Sequence, residues 1–163
     1  MIILEEKRMF CYIFFINNNE LGERVWTAEE IMNFLLEKNK WAFSLNAPNL
    51  KYLNEGDRAV IYLAGKGRRY FWADLTIAST PYEVRPEPNE PDWLTMFPIR
   101  IDIRDIKIWT ERLPIGDVLA QLDFITDKKN YGLYFRQSNR IIEERDYSLI
   151  LDYGRRIFSD NKI

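Results

Sequence analysis

Between Ile99 and Trp109 the chain carries the pattern of a β-strand and then breaks its phase. Ile99, Ile101 and Ile103 alternate with Arg100, Asp102 and Arg104, but the next apolar pair is Ile106 and Ile108. Side chains on a strand point alternately to two faces, so a slip of one residue demands a bulge or bend near Arg104-Asp105. A strand bent in this way belongs to a sheet that curls toward a barrel.

The flanking segments suit such a sheet. Phe10 to Ile16 reads as a strand, closed by the polar run Asn17-Asn18-Asn19-Glu20. Thr27 is a helix N-cap, Glu30 completes a capping box, and Trp26 is placed to staple onto Ile31. Ile31, Phe34 and Leu35 then share one face of a helix that ends near Lys38 to Lys40. After Pro48 and the turn Asn54-Glu55-Gly56-Asp57, a hairpin is predicted. Its strands are Arg58 to Leu63 and Tyr70 to Ala78, with Gly65-Lys66-Gly67-Arg68-Arg69 at the tip. Pro81 to Pro98 holds five of the seven prolines and forms a long irregular loop, a kind of segment more often functional than decorative. A short helix is expected over Ile115 to Leu122 and a strand over Tyr131 to Phe135. The last helix spans Glu143 to Tyr153, with Tyr147, Ile150 and Leu151 buried and Gly154 as its stop.

The resulting order is β-α-β-β-β-α-β-α. Most strands are joined by loops or hairpins, so the expected fold class is α+β: a curved, mixed, largely antiparallel sheet, partly closed as a barrel and flanked by helices. At 163 residues the chain, 1–163, is expected to be one domain with a real core.

Composition removes many functions. There is no His, which excludes Ser-His-Asp and Cys-His catalysis and histidine-bearing zinc sites. The single cysteine, Cys11, forms no internal disulfide and suits a reducing cytoplasm. The run Met9 to Ile16 is too short to span a bilayer, so no membrane partner is expected. A net charge of −2 argues against a protein that coats nucleic acid by charge alone. The unusual figure is 15% aromatic residues, which reads either as a core of large side chains or as rings around a flat ligand.

Several segments resemble EVE domains. Gly56-Asp57-Arg58-Ala59-Val60-Ile61-Tyr62 resembles the family's Gly-Asp strand entry, and Pro81-Tyr82 and Pro98-Ile99-Arg100-Ile101 stand where related strand boundaries fall. Leu122-Asp123-Phe124-Ile125, Lys128 to Phe135 and Glu143 to Tyr147 resemble its C-terminal half. The likeness runs from about Tyr12 to Tyr153. It departs at Tyr131, where a Trp is common, and after Trp41, where Ala-Phe-Ser-Leu-Asn replaces a Gly-containing turn. EVE domains are similar to PUA and YTH domains, and the resemblance implies a PUA-like curved sheet with a pocket for one extruded, often methylated, base.

On that resemblance Trp41 matches a first cage Trp and Trp93 lies in the loop that supplies a second. Phe97 is a third wall. Tyr62, in a strand, faces either pocket or core. Each ring also has a plain core reading, Trp41 as a ring packed under the first helix. Ser44 and Asn46 are candidates to read the base edge, or else cap the loop before Pro48. Lys66, Arg68 and Arg69 are the expected phosphate contacts, joined by Lys128, Lys129, Arg136 and Arg140 in a second basic stretch, unless both are simply solvated. Gly65-Lys66-Gly67 lacks the ending and helix of a phosphate-binding nucleotide loop.

The expected function is non-enzymatic. It is recognition of a modified, methylated base in DNA by flipping, with no cofactor and no metal. Such a module suits the N-terminal specificity domain of a modification-dependent restriction system, with a nucleotide-driven motor and nuclease fused or associated. Binding of modified RNA or tRNA, and a small-molecule regulatory pocket, are the alternatives.

Overall fold

The computed structural model describes residues 9–20 and 24–160, the last five by backbone alone. Its strands are β1 (Cys11–Ile16), β2 (Lys40–Phe43), β3 (Arg58–Leu63), β4 (Tyr70–Ile77), β5 (Tyr82–Glu83), β6 (Ile99–Pro114) and β7 (Asn139–Ile142). Its helices are α1 (Ala28–Glu37) and α2 (Glu144–Asp160), with short 3-10 turns between elements. The strands form one curled sheet in the order β2-β6-β4-β3-β1-β7, with β5 also on β6. Among the described pairs only β1 and β3 run parallel. The fold is α+β, a PUA-like half-barrel.

The phase slip has the expected consequence. Asp105 takes a left-handed φ of 52°. Thr76 pairs with Arg104 while Asp74 pairs with Lys107, so β6 carries one residue more than β4 across the bend. Before the bend, Ile99 to Asp102 pair with β2; beyond it, β6 follows β4 as far as Pro114.

The sheet is covered on both faces, which explains why β1 is apolar at every position instead of alternating. Tyr12, Phe14 and Ile16 enter a core under α1, together with Ile31, Leu35, Trp41 and Ile101. Cys11, Ile13 and Phe15 enter a second core under α2, with Tyr62, Trp109, Phe135 and Tyr147. The entry to α1 is held as its sequence requires. Thr27 Oγ1 accepts from the Glu30 N–H and Glu30 Oε1 from the Thr27 N–H, both at 3.1 Å.

Several expectations are corrected. The segment Tyr131 to Phe135 is no strand but part of a 3-10 stretch, Lys128–Phe135. Its alternation meets no second face: Phe135 is buried, whereas Leu133 is 56% exposed. Asp127 instead caps the turn, accepting from the Asn130 backbone N–H at 3.3 Å and from its side-chain amide at 2.9 Å. Ile115 to Leu122 forms two 3-10 turns instead of one helix. Strands β2 and β7 were not foreseen. Asn39, with φ 56°, ends α1 in a left-handed residue and returns the chain straight into β2.

Gly154 does not stop the last helix, which runs on to Asp160. It is small for a different reason. A Cβ there would sit 2.3 Å from Trp109 Cζ3, so the indole packs flat against the helix backbone. Trp109 is fixed in turn by donating Nε1–H to Asp74 at 2.8 Å, and Asp74 also accepts from Arg155 at 2.8 Å. At the opposite end of β4, the Gly-Asp turn is pinned by a buried carboxylate. Asp57, 1% exposed, accepts from the Phe10 and Asn54 N–H groups, each at 3.0 Å.

Two stability predictions follow from these contacts. Gly154→Ala overpacks the Trp109 site and should cost about 2 kcal/mol, lowering the melting temperature by roughly 4–8 °C; an unchanged melt would refute the close approach. Asp57→Ala removes the acceptor of two part-buried N–H groups and should lower unfolding free energy in urea by about 2 kcal/mol.

Candidate nucleic-acid interface

Trp41 enters the core from β2, 2% exposed, and stacks on Phe14 with centroids 5.7 Å apart. Trp93 reaches the same core from the 3-10 turn Asp92–Met96, where Trp26, Phe34 and Phe97 surround it at 5.7, 5.8 and 6.1 Å. Both indoles are therefore structural. They also border one cavity of about 170 Å³, shared with Phe97, Leu35, Ala42 and the end of β1. That volume is below the roughly 300–1,000 Å³ of drug-sized clefts and suits a single flat heterocycle.

One atom in this lining is out of balance. Trp93 is 1% exposed and its Nε1–H is buried without an acceptor. A buried donor left unpaired costs about 1–3 kcal/mol, and native interiors keep few of them. An indole with an unused donor thus borders this cavity beside the rings of Phe15, Trp41 and Phe97.

The polar rim is formed by Asn17, Asn18, Asn19 and Ser138. In sequence the three asparagines signal only the end of β1. In three dimensions Asn18 Oδ1 accepts from the Ala28 N–H at 2.9 Å, Asn17 Oδ1 from the Asn18 N–H at 2.8 Å, and Asn19 exchanges backbone hydrogen bonds with Trp26 at 2.8 Å. These bonds tie the exit of β1 to the start of α1. They leave the amide nitrogens of Asn17 and Asn18 without a protein acceptor among the described residues. No sequence signal marks this role, because it depends on β1 and β2 being brought to one side of α1.

A second hollow, of about 450 Å³, opens beside the β3–β4 hairpin. Lys66, Arg69, Lys129 and Arg136 line it with no carboxylate among the lining residues, and Tyr62, Tyr131 and Phe135 form its aromatic floor. None of these four cations has an ion-pair partner among the described residues. The two hollows meet at the end of β1. Asn17 Oδ1 lies 2.8 Å from where a Cβ would stand on Gly65, and Phe15, on the indole cavity, packs on Phe135 at 5.2 Å. Gly65 and Gly67, with φ of 107° and 81°, and Arg69, with φ 78°, give the tip its tight left-handed course.

The structure does not assemble all the expected site residues. Tyr62 lies on the α2 face of the sheet and borders the cationic hollow, not the indole cavity. Ser44 and Asn46 line neither; Ser44 supplies its carbonyl to the Ala47 N–H at 3.1 Å in the turn after β2. Arg68 is withdrawn to Glu29, 16% exposed, and clamps the hairpin to α1. Burial raises the Glu29 carboxyl, but the Arg68 guanidinium outweighs it and holds the group below its usual range. Lys128 Nζ is bonded to the Leu122 carbonyl, and Arg140 lies over the Phe124 and Tyr134 rings, each 5.3 Å away. Among the described residues no cluster of His, Cys, Asp and Glu fits a metal ion, and no helix is long and apolar enough to cross a membrane.

Comparison with known proteins places this arrangement. No curated protein matches the sequence. Among solved structures, Rpa0253 from Rhodopseudomonas palustris has a TM-score of 0.58 at 16% identity, over 90% of this chain and 93% of that one. Human THYN1, solved with DNA containing 5-methylcytosine, has a TM-score of 0.59 at 12% identity, over 89% and 97%. The YTH domain of Zygosaccharomyces rouxii MRB1, solved with N6-methyladenosine RNA, has a TM-score of 0.55 at 12% identity, over 94% of each chain. At such identities these likenesses concern the fold. The sequence itself matches the EVE domain over residues 35–153, more than half of its length, and the chain belongs to the EVE domain family.

Proposed function

We propose that this domain binds DNA carrying a modified, methylated base, and that the base is swung out of its strand into the cavity between Trp41 and Trp93. The observation that carries this reading is the unpaired Trp93 N–H beside a heterocycle-sized aromatic cavity, next to four unpaired cations. A base in that cavity stacks on rings, which is worth about 1–3 kcal/mol, and offers an edge acceptor to the indole. A methyl group adds about 0.8 kcal/mol when buried among apolar walls. Lys66, Arg69, Lys129 and Arg136 hold the strand by its phosphates and supply affinity without sequence preference.

The solved complexes of human THYN1 and of the yeast YTH domain support the same class of ligand on the same fold, one with DNA and one with RNA. DNA is the reading adopted here, and RNA is the second arm of the test. The domain contributes binding and not catalysis: its pocket holds rings and amides, with no paired acid and base. In the cytoplasm such a reader suits the specificity module of a modification-dependent restriction system, where a fused or associated motor and nuclease supply the cleavage.

The test is a titration of matched DNA and RNA oligonucleotides, each with and without 5-methylcytosine or N6-methyladenine, at stated salt. One modified DNA should bind roughly fourfold tighter than its unmodified twin. Equal affinity across the set would end the modified-base claim, and tighter RNA binding would reassign the strand. Alanine at either indole would empty the core at a cost of about 3–5 kcal/mol, so it cannot separate folding from binding. Trp93→Phe can. It removes the unpaired N–H and should leave the melting temperature equal or higher, while weakening the modified oligonucleotide by roughly three- to tenfold. A purely structural Trp93 predicts no change in binding. Arg69→Gln and Arg136→Gln should weaken modified and unmodified strands alike, each flattening the salt dependence by about one phosphate.

A further inference from the structure

Leu35 also borders a separate cavity of about 380 Å³, between the C-terminal end of α1, β5 and the proline-rich loop. Phe34, Leu35, Tyr82, Val84 and Leu94 give it an apolar side, and charged residues of the loop and of the end of α1, among them Lys38, Arg85 and Glu87, form its rim. Within this setting sits Arg100, from the first half of β6, with its side chain 7% exposed. Its Nη2 approaches Glu90 Oε2 no nearer than 3.6 Å, beyond hydrogen-bonding reach. Arg100 Nη1 and Glu90 Oε2 are both buried without a hydrogen-bond partner. An ion pair that lacks a direct hydrogen bond, one donor and one acceptor short, therefore lines this cavity.

The neighbouring charges do not close this gap. Lys40 is already bonded to Asp102, which also accepts from the Tyr82 hydroxyl at 2.6 Å. The space, about 380 Å³, has room for a small molecule. Burial lowers the affinity of the Arg100 guanidinium for its proton, with Glu90 opposing, and an added anionic group would offset that desolvation.

The complement of a donor cation, an adjacent acceptor anion and apolar walls is a small zwitterion. We propose that this cavity binds a free α-amino acid with an apolar side chain. Its carboxylate accepts from Arg100 Nη1, its ammonium donates to Glu90 Oε2, and its side chain lies against Phe34, Tyr82 and Leu94. Charge-assisted hydrogen bonds to both ends make the ligand selective for molecules that carry the two groups together.

The experiment is calorimetric titration of the whole chain with L-leucine, L-phenylalanine and L-tyrosine in turn. It is paired with 3-phenylpropionate, which lacks the ammonium, and phenethylamine, which lacks the carboxylate. At least one amino acid should bind saturably, with either phenyl analogue about tenfold or more weaker than phenylalanine. Methyl resonances of Leu35, Val84 and Leu94 should shift on binding, which locates the ligand. Glu90→Gln, on a loop, should weaken the amino acid by about tenfold with unchanged oligonucleotide binding. Arg100→Met should abolish binding, and Glu90→Gln carries the test if that variant does not fold. The proposal fails if none of the three amino acids binds at millimolar concentration, if the one-group analogues bind as well, or if Glu90→Gln binds like the native chain.

Discussion

The bend of β6 at Asp105 is the constraint on which the rest of this molecule depends. Before it, Ile99 to Asp102 pair with β2 and β5; β4 joins at Ile103 and Arg104 and follows the strand through the bend. A straight strand of this length would hold those partners in one plane. The extra residue turns them around a curve instead, and α1 closes over the concave side with Trp41, Trp93 and Ile101 beneath it. Arg100, carried on the same half of β6, is buried by the same closure.

The two faces of the sheet have separate work. The α1 face carries the indoles and the unpaired Trp93 donor, and the α2 face carries the cations and their aromatic floor. Residues of both come near each other at the exit of β1, because β1 lies inside the sheet and contributes alternate side chains to both cores. The asparagine run that follows ends the strand, caps α1 and touches the hairpin at Gly65. A flat ring and the phosphates of its own strand need apolar and cationic surfaces within one nucleotide's reach. Their meeting at the β1 exit supplies that proximity in an acidic chain of net charge −2.

Burial of the indoles is compatible with binding because their stability does not depend on the cavity edge. Trp41 is held by Phe14 behind it and Trp93 by three rings around it. A guest would meet walls already in place and pay little to order them.

The sequence by itself determined the features that are local. The phase slip of β6, the capping box at Thr27, the Gly-Asp turn before β3 and the glycine-bounded hairpin all follow from interactions over a few residues, and all are found where the pattern puts them. Family resemblance extended this to the curved sheet. Tertiary structure decided what depends on partners far along the chain. Tyr131 to Phe135 alternates like a strand, yet only Phe135 is buried while Leu133 is exposed, and the segment coils into 3-10 turns. Gly154 looks like a helix stop, but its smallness serves Trp109, which arrives from β6. Arg68 is a hairpin cation by sequence and a clamp by structure, because Glu29 stands opposite it on α1. Tyr62 has a place on one face or the other only once the register of β3 between β1 and β4 is set. The polar rim of Asn17 and Asn18 is legible only in space, since side-chain chemistry names what a residue can do and the distant elements around it decide which of those things it does.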